Sequence, residues 1–480
     1  MKNNNSKSTL QRLLVIAVPM VISQASDTIM LFADRLFLSR LGGEYLAASM
    51  SGGLTQLMLS FFFVGTIGYV TAVVAQNYGA GRSGKCAEAT FQAVILALIS
   101  YPLMLAAAPA AKIFMAAIGQ SALQVELAYT YFQTLVIGII FLVLRHALAG
   151  FFIGIGRTRV VMAANAAGML VNLPLNYILI FGKLGLPAMG LRGAAIGTIC
   201  GNFIIFLILL VSYLNRSNRE EFSTHKSLRL QPAVLKTLLK FGVPAGIEMF
   251  LTIAAFNLFV QTMHTYGTQV AASVTVAFNW DLVAFLPMLG MGHAVTSLVG
   301  RNVGAGDPAE ARRTAYMGLR VAWVYSFTML IIFVFGARLL VGVFLPGGEA
   351  DGEVFTMAVT MLRLVSLYIL ADSAQIVFVG ALRGAGDTRW VMTASVILHW
   401  LFAAVVFYLI RILNVTPLTA WLFFIGFLII LSLSMFLRFR SGKWMRIKMI
   451  AENGDLPEHH YSSGACLEII AEEPVSGPGE

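Results

Sequence analysis

Long apolar runs alternate with short polar breaks from about residue 12 to residue 438. A helix that crosses the hydrocarbon core of a bilayer needs about 20 mostly apolar residues. Twelve segments meet that length: 12–37, 46–75, 88–110, 126–153, 158–182, 190–214, 235–264, 270–299, 312–337, 354–382, 389–411 and 416–438. Glycine-rich breaks such as GAGRSGK, GIGRTR and GAGDTR separate several of them. The first run follows MKNNNSKSTLQR, is too long for the core of a signal peptide and has no A-x-A-like cleavage site behind it, so it reads as a retained span. The pattern therefore predicts an all-α membrane protein with twelve transmembrane helices.

Composition agrees. Hydrophobic residues make up 58% of the 480 residues and charged residues 12%, where a soluble domain carries about a quarter charged. The mean hydropathy is +0.81. The formal net charge of +10 would suggest nucleic acid on a soluble protein. Here the Lys and Arg residues collect at the N-terminus, in the loops after even-numbered spans, in the central loop and after the last span. That asymmetry is a topology signal. It places both termini in the cytoplasm and argues against a nucleic-acid partner; the expected location is the plasma (inner) membrane. Cys86, Cys200 and Cys466 are scattered and match no disulfide or metal spacing.

The two halves repeat. Pro19 in AVPM returns as Pro244 in GVPA, and NYGAG at 77–81 returns as NVGAG at 302–306, both 225 residues later. GIGRTR at 154–159 returns as GAGDTR at 384–389, 230 residues later. Each half has six spans, so the halves share one membrane orientation, a parallel repeat that places a substrate site near the midplane between them. The expected organisation is an N-lobe over 1–214, a cytoplasmic linker over 215–234, a C-lobe over 235–440 and a cytoplasmic, disordered tail over 441–480.

At these motifs the chain resembles the multidrug and toxic compound extrusion (MATE) family. QNYGAGR, RNVGAGD and GALRGAGDTR look like its paired loop motifs, and NLPLNYILIFGKLGLPAMGLRGAAIGT resembles the NorM-type bacterial branch. The resemblance covers about residues 10–440. It implies two six-helix lobes around a V-shaped cleft, the MATE or MOP-type fold. It also implies export of organic, often cationic, compounds in exchange for Na⁺ or H⁺, by a monomer in membrane lipid, without a cofactor.

Ionisable residues inside spans are costly and mark function by default. Five carboxylates qualify: Asp27 and Asp34 in the first span, Glu248 in the seventh, Asp281 in the eighth and Asp372 in the tenth. None recurs in the other half. At an offset of 225, Glu248 falls opposite Ser23, Asp281 opposite Gln56 and Asp27 opposite Thr252. Asp372 precedes GALRG, where the resemblance implies an Asp that binds the coupling cation. A carboxylate withdrawn from water readily takes a proton or a cation, and Gln375, one turn on, could complete a Na⁺ site. Glu248, one turn before the position of the family's seventh-span Glu, and Asp281 would join Asp372 in an acidic cluster of the C-lobe. The alternative for each is a side chain satisfied by its neighbours.

In the first half, the resemblance implies that Asp34 lines the N-lobe cavity; the alternative is a salt bridge to Arg35 or Arg40. Asp27 lies on the same face. Asn172 and Asn176 flank Pro174, and the DinF-type branch has an Asp at the latter position. Trp280 could stack on an organic cation or simply pack. The histidines show no metal-ligand spacing, so no metal other than the coupling ion is expected. No GKS or GKT phosphate loop is present and no acid–base or metal pair suggests an enzyme. A lipid-linked oligosaccharide flippase remains the alternative, with Arg145 and Arg363 as the cations it would need for pyrophosphate.

Overall fold

The computed structural model describes residues 2–117, 122–344 and 352–449, and each apolar run within them is helical. The first half comprises α1 (Lys2–Ser39), α2 (Gly43–Gly68), α3 (Val70–Gly79), α4 (Ser83–Ala117), α5 (Ala122–Ile137), α6 (Ile139–Gly154), α7 (Thr158–Phe181) and α8 (Leu191–Tyr213). The short α9 (Arg216–Phe222) leads to α10 (Pro232–His264), α11 (Thr268–Gly304), α12 (Pro308–Phe335), α13 (Ala337–Phe344), α14 (Glu353–Ala385), α15 (Thr388–Arg411) and α16 (Pro417–Arg440). With α2 and α3 taken as one span, 11 helical segments are long and apolar enough to cross a bilayer, and the pair α5–α6, bent by 48°, makes up to 12. The bend falls at Gly138, between the two helices. The polar breaks act as caps. Asp307 accepts a hydrogen bond from the Glu310 backbone N–H at 2.8 Å, with Pro308 behind it, and Thr416 caps α16 in the same way ahead of Pro417.

The apolar core divides by halves, with a reciprocal exchange. One cluster comes from α10 to α16 and takes in Leu13, Ile16 and Ala17 of α1. Another comes from the first half and takes in Leu238, Phe241 and Ala245 of α10. Leu13 and Leu238 are repeat equivalents, as are Ile16 and Phe241. The leading turns of α1 and α10 therefore each pack into the opposite half, which a boundary drawn at 235 does not convey.

Two further contacts obey the same two-fold relation. A Cβ on Gly65 would meet Gly246 and the Ala245 carbonyl, and one on Gly290 would meet Val21 and Met20. A Cβ on Gly79 would strike the Arg301 backbone, and one on Gly304 would strike the Gln76 backbone. The glycines of NYGAG and NVGAG are thus where α3 and α11 cross at backbone distance, an approach that small residues allow between membrane helices. Gln76 donates to the Gly384 carbonyl at 2.8 Å and Tyr69 to the Arg383 carbonyl at 3.0 Å. The two halves are closed against each other at this end.

Residues 441–449, assigned from sequence to the tail, are part of the packed protein. Lys443–Arg446 form a 3-10 turn, Trp444 is fully buried and stacks on Phe439 at 5.1 Å, and Met449 lies against Tyr69. Their apolar side chains explain it. The expected tail from 451 onward, with Cys466, lies outside the described residues.

Candidate functional site

In the first half, α1 and α7 run side by side in register. Thr158 donates to the Ile16 carbonyl, Asn165 to the Ser23 hydroxyl and Asn176 to the Asp34 carboxylate, each across a separation of 142 residues. A constant separation means that the two helices are parallel, so polar residues along one face of α7 meet polar residues along one face of α1. Asp34 is 5% exposed and accepts from Asn176 and, at 2.8 Å, from the Thr198 hydroxyl of α8. Arg35 and Tyr131 lie nearby, but no ion pair among the described residues includes Asp34. Asn172, one turn before Asn176, is fully buried with neither side-chain polar atom partnered.

Asp27 belongs to a different arrangement. Its carboxylate pairs with Arg145 of α6 at 3.1 Å and accepts from Asn165 at 3.3 Å. Arg145 is therefore engaged by an acid. Arg363 is exposed and donates to the Val334 carbonyl at 3.3 Å. Arg145 is thus neutralised by Asp27, whereas Arg363 has no ion-pair partner among the described residues.

In the second half, the close packing of α11 on α14 brings Asp281 toward Asp372. Tyr368, four residues before Asp372 and so on the same face of α14, lies beside both. Its hydroxyl is buried near Asp281 and closes no hydrogen bond among the described residues. Both aspartates and Gln375 are half-buried. No Lys or Arg pairs with either aspartate among the described residues. Two such carboxylates in an apolar setting are stable only if a proton or a cation joins them.

Glu248 departs from the expected cluster. It is 6% exposed and pairs with Arg383 of α14 at 2.5 Å, with His399 of α15 also near. Neither aspartate is among its partners. The physical reason is local: Arg383 lies within reach and neutralises it. Trp280 packs, donating to the Leu340 carbonyl at 3.0 Å with its ring against Phe344. No group of three or more His, Cys, Asp and Glu among the described residues could hold a metal ion.

Tyr368, Thr198 and Arg383 are the site residues that the sequence left unmarked. Tyr368 had a legible signal, its place one turn before an intramembrane Asp. Thr198 and Arg383 had none, since only packing brings them to Asp34 and Glu248.

Comparison with known proteins follows the same geometry. The MatE family model matches residues 19–178 and again 244–409. The two matches start at Pro19 and Pro244, the first pair of the repeat. The chain is 29% identical over 400 residues to the multidrug resistance protein PmpM of Pseudomonas aeruginosa, covering 82% of each. It is 29% identical over 405 residues to a probable multidrug resistance protein NorM of a Synechococcus strain, covering 82% of this chain and 86% of that one. Among solved structures, it resembles the outward-facing form of a multidrug resistance transporter of the MOP superfamily with a TM-score of 0.83 at 19% identity. That match covers 92% of this chain and 97% of the other. The eukaryotic transporter AtDTX14 gives 0.82 at 19% identity, with the same coverage. At that identity the structural likeness establishes the fold, all-helical and of the MATE or MOP type.

Proposed function

This chain belongs to the MatE family, and from that premise we propose that it works as a cation-coupled antiporter exporting small organic, largely cationic compounds in exchange for Na⁺ or H⁺. It is an integral membrane transporter and not an enzyme. We assign it to the plasma membrane, as its bacterial relatives suggest, with both termini cytoplasmic on the charge asymmetry of its loops.

The observation that carries the coupling assignment is the pairing of charges. Asp27 has Arg145, Glu248 has Arg383, and Asp34 has Asn176 and Thr198. Asp281 and Asp372 have neither an ion pair nor a closed hydrogen bond among the described residues, with Tyr368 beside them. They are the acids left without either kind of partner, so we assign them to the coupling cation, with Tyr368 and Gln375 offering neutral oxygens. Asp34, Asn176, Asn172 and Thr198 are assigned to the N-lobe cavity. Glu248 is assigned to holding α10 against α14.

In the cycle we infer, an amphipathic substrate enters the cleft from the cytoplasm or inner leaflet. Phenylalanine and methionine side chains give it adaptable apolar contact. With the glycine loops cytoplasmic, the conformation described above is sealed toward the cytoplasm. A cation arriving from outside then reaches Asp372 and Asp281, neutralises them and favours substrate release. Each coupling charge supplies about 2.3 kcal/mol per 100 mV of membrane potential, plus its concentration gradient.

The test is ethidium transport in proteoliposomes, with an imposed Na⁺ or proton gradient and with the gradient collapsed. Wild type should move ethidium against its own gradient. Asp372→Asn and Asp281→Asn should only equilibrate it, while their thermal melting stays close to wild type. Gradient-driven transport by both variants at the wild-type rate would overturn the assignment.

A further inference from the structure

Outside the transport cleft, each half carries a groove on its flank, and the two grooves are repeat equivalents. The first, of about 540 Å³, lies between α1 and α7; the second, of about 770 Å³, lies between α10 and α15. Both volumes are in the range of small-molecule sites, roughly 300–1,000 Å³. The apolar floor is shared: Leu10, Leu14 and Pro19 in the first half become Leu235, Leu239 and Pro244 in the second. One cation is shared as well, Arg159 at the start of α7 and Arg389 at the start of α15.

The remaining polar positions differ. Gln11 and Val15 of the first groove are replaced by Lys236 and Lys240 in the second. Among the described residues, the second groove thus has three cations where the first has one, and no Asp or Glu lines it. Lys236, Lys240 and Arg389 are exposed, and none is ion-paired among the described residues. The groove opens at the end where the halves close, among the leading turns of α10 and α15.

We propose that this second groove is a binding site for an anionic phospholipid, with Lys236, Lys240 and Arg389 on the phosphate headgroup and an acyl chain along Leu235, Leu239 and Pro244. Three cations above an apolar channel match a ligand that is anionic at one end and hydrocarbon at the other. Basic pockets between membrane helices on the cytoplasmic side hold such headgroups. A soluble anion would leave the channel empty, and a neutral lipid would leave the three cations unanswered. The first groove is the internal control: it has the equivalent apolar floor, but only Arg159 as a cation among the described residues. The inference does not depend on the direction or coupling of transport.

The experiment measures lipid retained by the purified full-length protein, equilibrated with equal amounts of phosphatidylglycerol and phosphatidylethanolamine and read by native mass spectrometry. Wild type should retain phosphatidylglycerol preferentially, by about tenfold. Lys236→Gln with Lys240→Val, which copies the first groove into the second, should abolish that preference, and Arg389→Gln alone should weaken it. Arg159→Gln should leave it unchanged. Melting curves of each variant report folding separately, and Arg389→Gln serves as the second variant if the double one unfolds. Three outcomes would overturn the proposal: equal retention of the two lipids by wild type, a preference that survives both second-groove variants, or displacement of the lipid by inorganic phosphate.

Discussion

At the scale of single residues, the protein sorts its buried charges by whether they have a partner. Charges in an apolar interior are tolerated only when paired or hydrogen-bonded. Glu248 illustrates the structural kind. Removing one member of a buried ion pair costs about 3–5 kcal/mol, because the other is left uncompensated. Glu248→Gln should therefore lower the melting temperature clearly, and adding Arg383→Gln should restore part of it. A single variant that melts with wild type would remove the stabilising role given to the pair. The sequence marked all five intramembrane acids, because cost alone identifies them. It could not sort them. Arg383 is 135 residues from Glu248 and Arg145 is 118 residues from Asp27, so no local spacing connects those pairs.

At the scale of helices, the duplicated glycine motifs have a mechanical explanation. Gly79 and Gly304 allow α3 and α11 to cross with backbone against backbone, each on the residue equivalent to the other's partner. Gly79→Ala would put a methyl group 1.9 Å from the Arg301 carbonyl oxygen. Overpacking of this sort costs roughly 1–3 kcal/mol, so the variant should melt earlier and weaken the closed end. Gly84 belongs to the next helix, and a Cβ there would meet nothing within 4 Å. Gly84→Ala should leave stability unchanged or raise it by up to about 1 kcal/mol, from the better helix propensity of alanine. Equal melting of the two variants would refute the crossing as a close-packed contact. The spans themselves were legible from hydropathy. The bend at Gly138 and the exchange of the leading turns of α1 and α10 were not, because both depend on what the helix packs against.

At the scale of the whole molecule, the repeat and the distribution of loop charge predict an oriented pair of six-span halves. The orientation has a direct test on a cysteine-free background, with Cys86, Cys200 and Cys466 replaced. Ser217→Cys on the exposed α9 should react with a membrane-impermeant maleimide only after cells are permeabilised. Leu184→Cys, in the loop before α8 and 84% exposed, should react in intact cells. The reverse pattern would invert the topology. Span number, repeat and the set of costly residues were determined by the sequence alone, since each follows from a local count: apolar length, motif offset, or a charge where lipid forbids one. Which carboxylates have a counter-charge, which groove gathers three cations, and where the halves close were decided only by the tertiary structure. Those properties depend on distances between residues far apart in the chain, and only the packing of the helices sets them.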